Sequence, residues 1–127
     1  LSNCAARAHG VMKLARWIFL IAGVYGVLLL TPALFRPPQG APEFYYGFLG
    51  LALVWQFAFL VIARDPERQR PLMMIAVLEK LAFFATCLAL YATGAMRIGP
   101  LFLGGMIDGA LMALFAFAWV ASKPKPT

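Results

Sequence analysis

The sequence predicts an all-α integral membrane protein built as a four-helix transmembrane bundle, and three observations carry that expectation. Four apolar stretches of about twenty residues, each long enough to cross a bilayer, fill nearly all of the chain between Trp17 and Ala121. Hydrophobic side chains make up 63% of the 127 residues and charged ones only 13%, about half the charge of a soluble domain. Proline- and charge-rich runs, 36–42 and 64–71, separate the stretches, where chain reversals belong. Residues 1–16 read as a cytoplasmic leader, 17–121 as the four-span membrane domain and 122–127 as a basic cytoplasmic tail.

The leader lacks the apolar core of a secretory signal, so residues 1–10 are expected to stay attached as a disordered arm. Met12, Lys13, Leu14, Ala15 and Arg16 look like a natural start for a first span. Span one is expected over 17–35. The run from Arg36 through Pro37, Pro38, Gln39, Gly40 and Ala41 to Pro42 ends it, because proline removes a helix donor and glycine lowers helix propensity. Span two should open at Pro42 and Glu43, where proline loses no needed hydrogen bond and a carboxylate faces the positive dipole end, and should reach Ala63. Between it and span three lies the most hydrophilic connector, 64–71, in which Asp65, Pro66 and Glu67 read as a cap opening a short turn. Span three is expected over 71–93 and is stopped by Gly94; span four is expected over 98–121.

Arg7, Lys13, Arg16, Arg64, Arg68, Arg70, Lys123 and Lys125 fall at one end of this arrangement, against Arg36 and Arg97 at the other. Basic residues resist translocation, so both termini are expected in the cytoplasm. Trp17 and Trp119 would then mark the inner interface and Tyr45, Tyr46 and Tyr91 the outer one, as amphipathic rings prefer. The net charge of +6 is spread between the spans without a stripe or recognition helix, which argues against nucleic acid and for anionic lipid headgroups as the acidic partner. Cys4 and Cys87 lie at different depths, which excludes a disulfide framework. His9 is the only histidine and sits in the leader, so no metal site and no cofactor is expected.

Polar side chains inside the spans are the candidate site. From ~1.5 Å of rise per residue, Gln56 lies ~10 Å from the inner edge, Glu79 and Lys80 ~12–14 Å, Tyr25 ~13 Å and Asp108 ~15–20 Å. All four helices can therefore offer a polar group to one layer. In span four the apolar terms outweigh the roughly +3 kcal/mol of Asp108, whereas the two charges of span three, roughly +5 to +6 kcal/mol, nearly cancel its apolar gain. Gly104, Gly105 and Gly109 clear space beside Asp108 for another helix, and Lys80 is its expected partner. The strip Gly105, Gly109, Ala113 and the lesser pair Ala22, Gly26 read as close packing within the bundle. Glu79 and Asp108 set against Lys80 leave one acid without a counter-charge, and a protonatable carboxylate in a membrane marks a functional candidate; an inert ion-pair network is the structural alternative. Trp55 suits either a pocket wall or ordinary packing. Thr86 and Cys87 suit bonds to their own helix or packing against small neighbours.

The run Pro42-Glu43-Phe44-Tyr45-Tyr46-Gly47-Phe48, continuing through Trp55 and Gln56, then Arg64-Asp65-Pro66 with Arg70-Pro71-Leu72-Met73, and finally Leu78-Glu79-Lys80, resembles a group of small bacterial four-helix inner-membrane proteins. The likeness covers residues 12–121. In architecture alone the chain is also similar to the DoxX-like four-helix bundles. The resemblance implies a location in the bacterial inner membrane and supplies no mechanism.

Three functions follow as expectations. The leading one is a non-enzymatic bundle whose polar layer binds a small ligand or a partner protein, alone, as a homo-oligomer or in a larger membrane complex. The second is a proton-coupled transporter or channel acting as an oligomer. The third is a membrane enzyme acting on a lipid or quinone, with Glu79 or Asp108 as acid or base. A dry, filled core, a water-accessible path to the acids and a lateral apolar pocket beside them distinguish the structural, transport and enzyme readings.

Overall fold

The computed structural model describes residues 2–36 and 40–124. Its four helices are α1 (Ser2–Ala33), α2 (Pro42–Arg64), α3 (Arg70–Ala92) and α4 (Pro100–Ala121). All four are long and apolar enough to cross a membrane, and no strand occurs among the described residues. The protein is an all-α, multi-pass membrane protein.

The helix ends follow from local chemistry. Proline stands in the first turn of α2, α3 and α4, where its missing N–H is one that a helix leaves unpaired anyway. Gly94, at φ 79°, closes α3. The Gly94 N–H donates to the Tyr91 carbonyl at 3.1 Å and the Ala95 N–H to the Leu90 carbonyl at 2.8 Å, a pairing that needs a left-handed residue and uses up carbonyls the helix would otherwise leave open. Asp65 accepts the Arg68 N–H at 3.3 Å and holds the α2–α3 turn.

Three boundaries depart from the sequence-based expectation, the first being the end of α1 at Ala33, two residues short of 35. The segment 2–10 is helical and continuous with α1, not a disordered arm, because Ala5, Ala6, Arg7 and Ala8 are strong helix formers joined to a helix that is already nucleated. α4 begins at Pro100 and not at Ile98, since Gly99 is extended. Pro37, Pro38, Gln39 and Lys125 lie outside the described residues, so the inter-helix run and the tail charge are described only in part.

Neighbouring helices are antiparallel. Tyr45 Oη donates to the Ala33 carbonyl at 2.9 Å, Arg70 Nη2 donates to the Trp119 carbonyl at 2.7 Å, and the rings of Tyr91 and Phe102 lie 4.9 Å apart. These contacts join the end of one helix to the start of the next, or the mouth of α3 to the end of α4. α1 packs extensively on α2 and α3 on α4, while α1 meets α4 less and α2 meets α3 least. The fold is thus two tight hairpins side by side. One end of the bundle carries the chain termini and the α2–α3 turn; the other carries the two hairpin links and is called distal below.

The core is concentrated in the terminal half. Ala15, Phe19 and Ala22 of α1, Phe59 and Ile62 of α2, Met73 and Ala76 of α3, and Phe115 and Ala118 of α4 are fully or almost fully buried together. Phe19 and Phe115 stack at 4.3 Å, and Phe59 meets Phe115 edge-on at 5.0 Å. In the distal half the hairpins stay closed within themselves but separate from each other. Gly105 lies against the Cys87 thiol and Gly109 against the Phe84 ring, so close that an added Cβ would stand 2.5 Å from either neighbour. These glycines let α4 approach α3, as small residues do in membranes. Ala113, the third member of that strip, is exposed and takes no part in the core.

Candidate functional site

Where the hairpins part, a cavity of about 260 Å³ is lined by residues of all four helices. Its polar wall is Tyr25 of α1, Gln56 of α2, Glu79 and Lys80 of α3, and Asp108 of α4; the remaining wall is apolar, with Trp55, Phe48 and Phe83 contributing aromatic rings. The helices place these groups at one level because each has the same rise per residue and the antiparallel neighbours start from opposite ends.

Lys80 organises the layer. Its side chain is buried, and Nζ lies 3.2 Å from Asp108 Oδ1 and 3.7 Å from Glu79 Oε2. The ammonium also stands 5.1 Å from the centroid of the Phe59 ring, which faces it from the packed half. Two carboxylates and an aromatic face thus replace the water that a buried ammonium loses. The shorter contact is a hydrogen bond to Asp108 from a donor on the opposite strand of the α3–α4 hairpin, strengthened by the charge on both partners.

Gln56 is held differently. It is only 2% exposed and occupies the space that Gly26 leaves on α1: a methyl group at Gly26 would collide with Oε1 and Cδ of Gln56. Gln56 Nε2 donates to the Ala52 carbonyl of its own helix at 2.8 Å, which fixes the amide's orientation and leaves Oε1 as the free end. That Oε1 is buried without a hydrogen-bond donor, whereas Glu79 Oε2, also outside hydrogen-bond distance of any donor, keeps its ion pair with Lys80 at 3.7 Å. A buried acceptor left unsatisfied is unusual, since most buried polar atoms are paired.

The cavity communicates with the outer face of the bundle. Leu29, Phe48 and Leu51 line it and are 52%, 48% and 69% exposed, and Ala82 of α3 is an exposed lining residue as well. In a membrane these positions contact lipid. Phe48 and Phe83 face each other across the α2–α3 gap at 5.4 Å. Toward the termini, beyond Lys80, the bundle is filled by the packed rings of Phe19, Phe59 and Phe115.

The structure therefore brings Tyr25, Gln56, Glu79, Lys80 and Asp108 to one cavity. It places Gly105 and Gly109 in the α3–α4 seam, while Gly104 stands nearly free, with its nearest neighbour in Phe83 at 4.0 Å. Trp55 lines the cavity and also packs on Phe59 at 6.3 Å. Thr86 donates to the Ala82 carbonyl of its own helix at 2.8 Å. Sequence reasoning missed Phe48, Phe83 and the seat of Gln56 on Gly26. The first two carry no signal in a chain rich in phenylalanine; the third was open to view in Gly26 itself, one turn beyond Ala22. Among the described residues no group of three or more His, Cys, Asp or Glu side chains is placed to hold a metal ion. No protein-family model, curated protein or solved structure matches the chain.

Proposed function

We propose that this bundle binds the polar head of a small lipid-soluble molecule that enters from the bilayer between α2 and α3. The observation that carries the reading is a buried acceptor without a donor, Gln56 Oε1, in the wall of a cavity that reaches the lipid-facing surface. A head group that donates a hydrogen bond, such as a phenol, quinol or alcohol, would satisfy it. Its apolar remainder would lie along Phe48, Leu51 and Phe83. At about 260 Å³ the cavity falls just short of the ~300–1,000 Å³ of enclosed small-molecule sites, which suits a ligand whose chain stays in the membrane. The setting is the bacterial inner membrane with both termini cytoplasmic, on the strength of the basic residues at the terminal end and the resemblance in the α2 and α3 segments.

A membrane enzyme acting on a lipid or quinone would need the same lateral cavity. The binding reading is preferred because Lys80 engages both carboxylates, so neither stands ready as an unencumbered acid or base. A conduit for solutes is disfavoured by the packed aromatic cluster of Phe19, Phe59 and Phe115, which leaves no continuation of the cavity toward the termini.

The test uses Trp55 as reporter, in a Trp17→Phe/Trp119→Phe variant reconstituted into lipid nanodiscs. Titration with para-hexylphenol should change the emission saturably, and para-hexylanisole, which has the same shape and no donor, should bind roughly tenfold or more weakly, as expected for an acceptor left unpaired. Gln56→Leu should erase the preference for the phenol. Equal binding of the two compounds to the unsubstituted site would overturn the proposal.

A further inference from the structure

A second cleft, independent of the first, lies at the terminal end of the bundle. It has a volume of about 340 Å³ and lies between the first turns of α1, the α2–α3 turn and the end of α4. Arg7, Arg70 and Lys123 line it with a single acid, Glu67. Among the described residues, the carboxylates that lie within ion-pair distance of a basic group are those of Glu79 and Asp108, both on Lys80; Glu67 is not within that distance of Arg7, Arg70 or Lys123, and the cleft keeps an excess of positive charge. Cations lining a cleft with low-dielectric walls repel one another and focus their field on it, which favours an anion there.

Arg70 is the fixed member. Its guanidinium lies 4.8 Å from the centroid of the Trp119 ring and donates through Nη2 to the Trp119 carbonyl, while Nε is buried with no acceptor. Arg70 also opens α3, whose Gln69 N-cap provides no side-chain hydrogen bond, so the positive end of the helix dipole adds to the three cations. Val11 and Met12 of α1 form an apolar continuation and are partly buried. With 32 residues, α1 is ~48 Å long, and the 22 or 23 residues of the other helices give ~33–35 Å. The hydrocarbon layer is ~30 Å thick, so the extra turns that carry Arg7 rise into the headgroup layer, where the cleft sits.

We propose that this cleft is a binding site for the phosphate of an anionic phospholipid, with the headgroup between Arg7, Arg70 and Lys123 and the acyl chains descending past Met12 into the bilayer. A zwitterionic choline headgroup brings its own cation into a site that already holds three, and is rejected on that ground. The extended first helix has a function in this account: without its initial turns the cleft loses Arg7 and one wall.

The test keeps Trp119 as the only tryptophan, in a Trp17→Phe/Trp55→Phe variant in detergent micelles at constant ionic strength. Dioctanoyl phosphatidylglycerol should shift the Trp119 emission saturably, dioctanoyl phosphatidylcholine should do so at least tenfold more weakly, and inorganic phosphate should neither mimic nor displace the glycerol lipid. Arg7→Gln/Lys123→Gln should weaken binding roughly thirtyfold, at about fivefold for each basic residue. Lys13→Gln/Arg16→Gln removes the same charge from residues that do not line the cleft and should change affinity less than twofold. Equal loss in the two double variants would show unspecific surface attraction and overturn the site. Displacement by inorganic phosphate at matched concentration would overturn the lipid as its occupant.

Discussion

Lys80 faces three groups at once, and the consequences of removing it are asymmetric. Lys80→Met leaves Asp108 and Glu79 side by side in a poorly solvated cavity, at a cost of roughly 3 kcal/mol for an uncompensated buried charge. Replacing both members of the 3.2 Å contact, Lys80→Met with Asp108→Leu, removes one carboxylate along with its partner and leaves Glu79, the more distant of the two at 3.7 Å, without its repulsive neighbour. Thermal unfolding in detergent should therefore show a large drop for the single variant and recovery of much of it in the double; strictly additive losses would mean that the pair is not coupled. Gln56 permits a second test of the same kind. Gly26→Ala drives a methyl group into Gln56 and should cost about 1–3 kcal/mol as an overpacked contact, and Gln56→Ala in the same chain should return most of that stability. No recovery would show that α1 and α2 are held apart by something other than this side chain. That these polar residues fall at one level of the bundle was legible in the sequence, because rise per residue is fixed and the helices start at recognisable prolines. Their rotational phase was not: a helix apolar on every side gives no moment to say which face meets its neighbours.

At the scale of elements, α3 carries the heaviest polar load. Its apolar residues only about balance the roughly +5 to +6 kcal/mol of Glu79 and Lys80, and the structure buries Lys80 against a carboxylate that belongs to α4. Isolated α3, inserted into microsomes behind a glycosylation reporter, should therefore enter the membrane less efficiently than isolated α2, and the α3–α4 hairpin should restore it. Entry of α3 alone at the level of α2 would show that Glu79 and Lys80 are not burdened by burial. Helix ends were legible at Pro42, Pro71 and Gly94, which act through their own backbone chemistry; the start of α4 at Pro100 was not, since Ile98 reads as the first apolar residue of the span. The helical leader was not, because its alanines and arginine lack both the apolar length of a span and a cap, and its order comes from continuity with α1.

For the whole molecule, the division into a packed terminal half and an open distal half decides between functions, and no composition or spacing could reveal it. The same apolar residues fill a core or border a cavity according to how two hairpins lean on one another. Topology is a separate question, set by the basic residues at the terminal end. In a cysteine-free background (Cys4→Ser/Cys87→Ala), Gln69→Cys should resist an impermeant thiol reagent in intact spheroplasts while Ala95→Cys reacts; the reverse pattern would invert the bundle in its membrane. The proposed function requires that the polar cavity open to lipid and take a ligand from it. Quenching of Trp55 in the Trp17→Phe/Trp119→Phe variant measures this most directly. In bilayers of phospholipid brominated at the middle of its acyl chains, emission should be strongly quenched, para-hexylphenol should relieve the quenching, Gln56→Leu should abolish the relief, and aqueous iodide should have little effect. Quenching by iodide with none by bromolipid would mean a water-filled path beside the acids and would contradict the account.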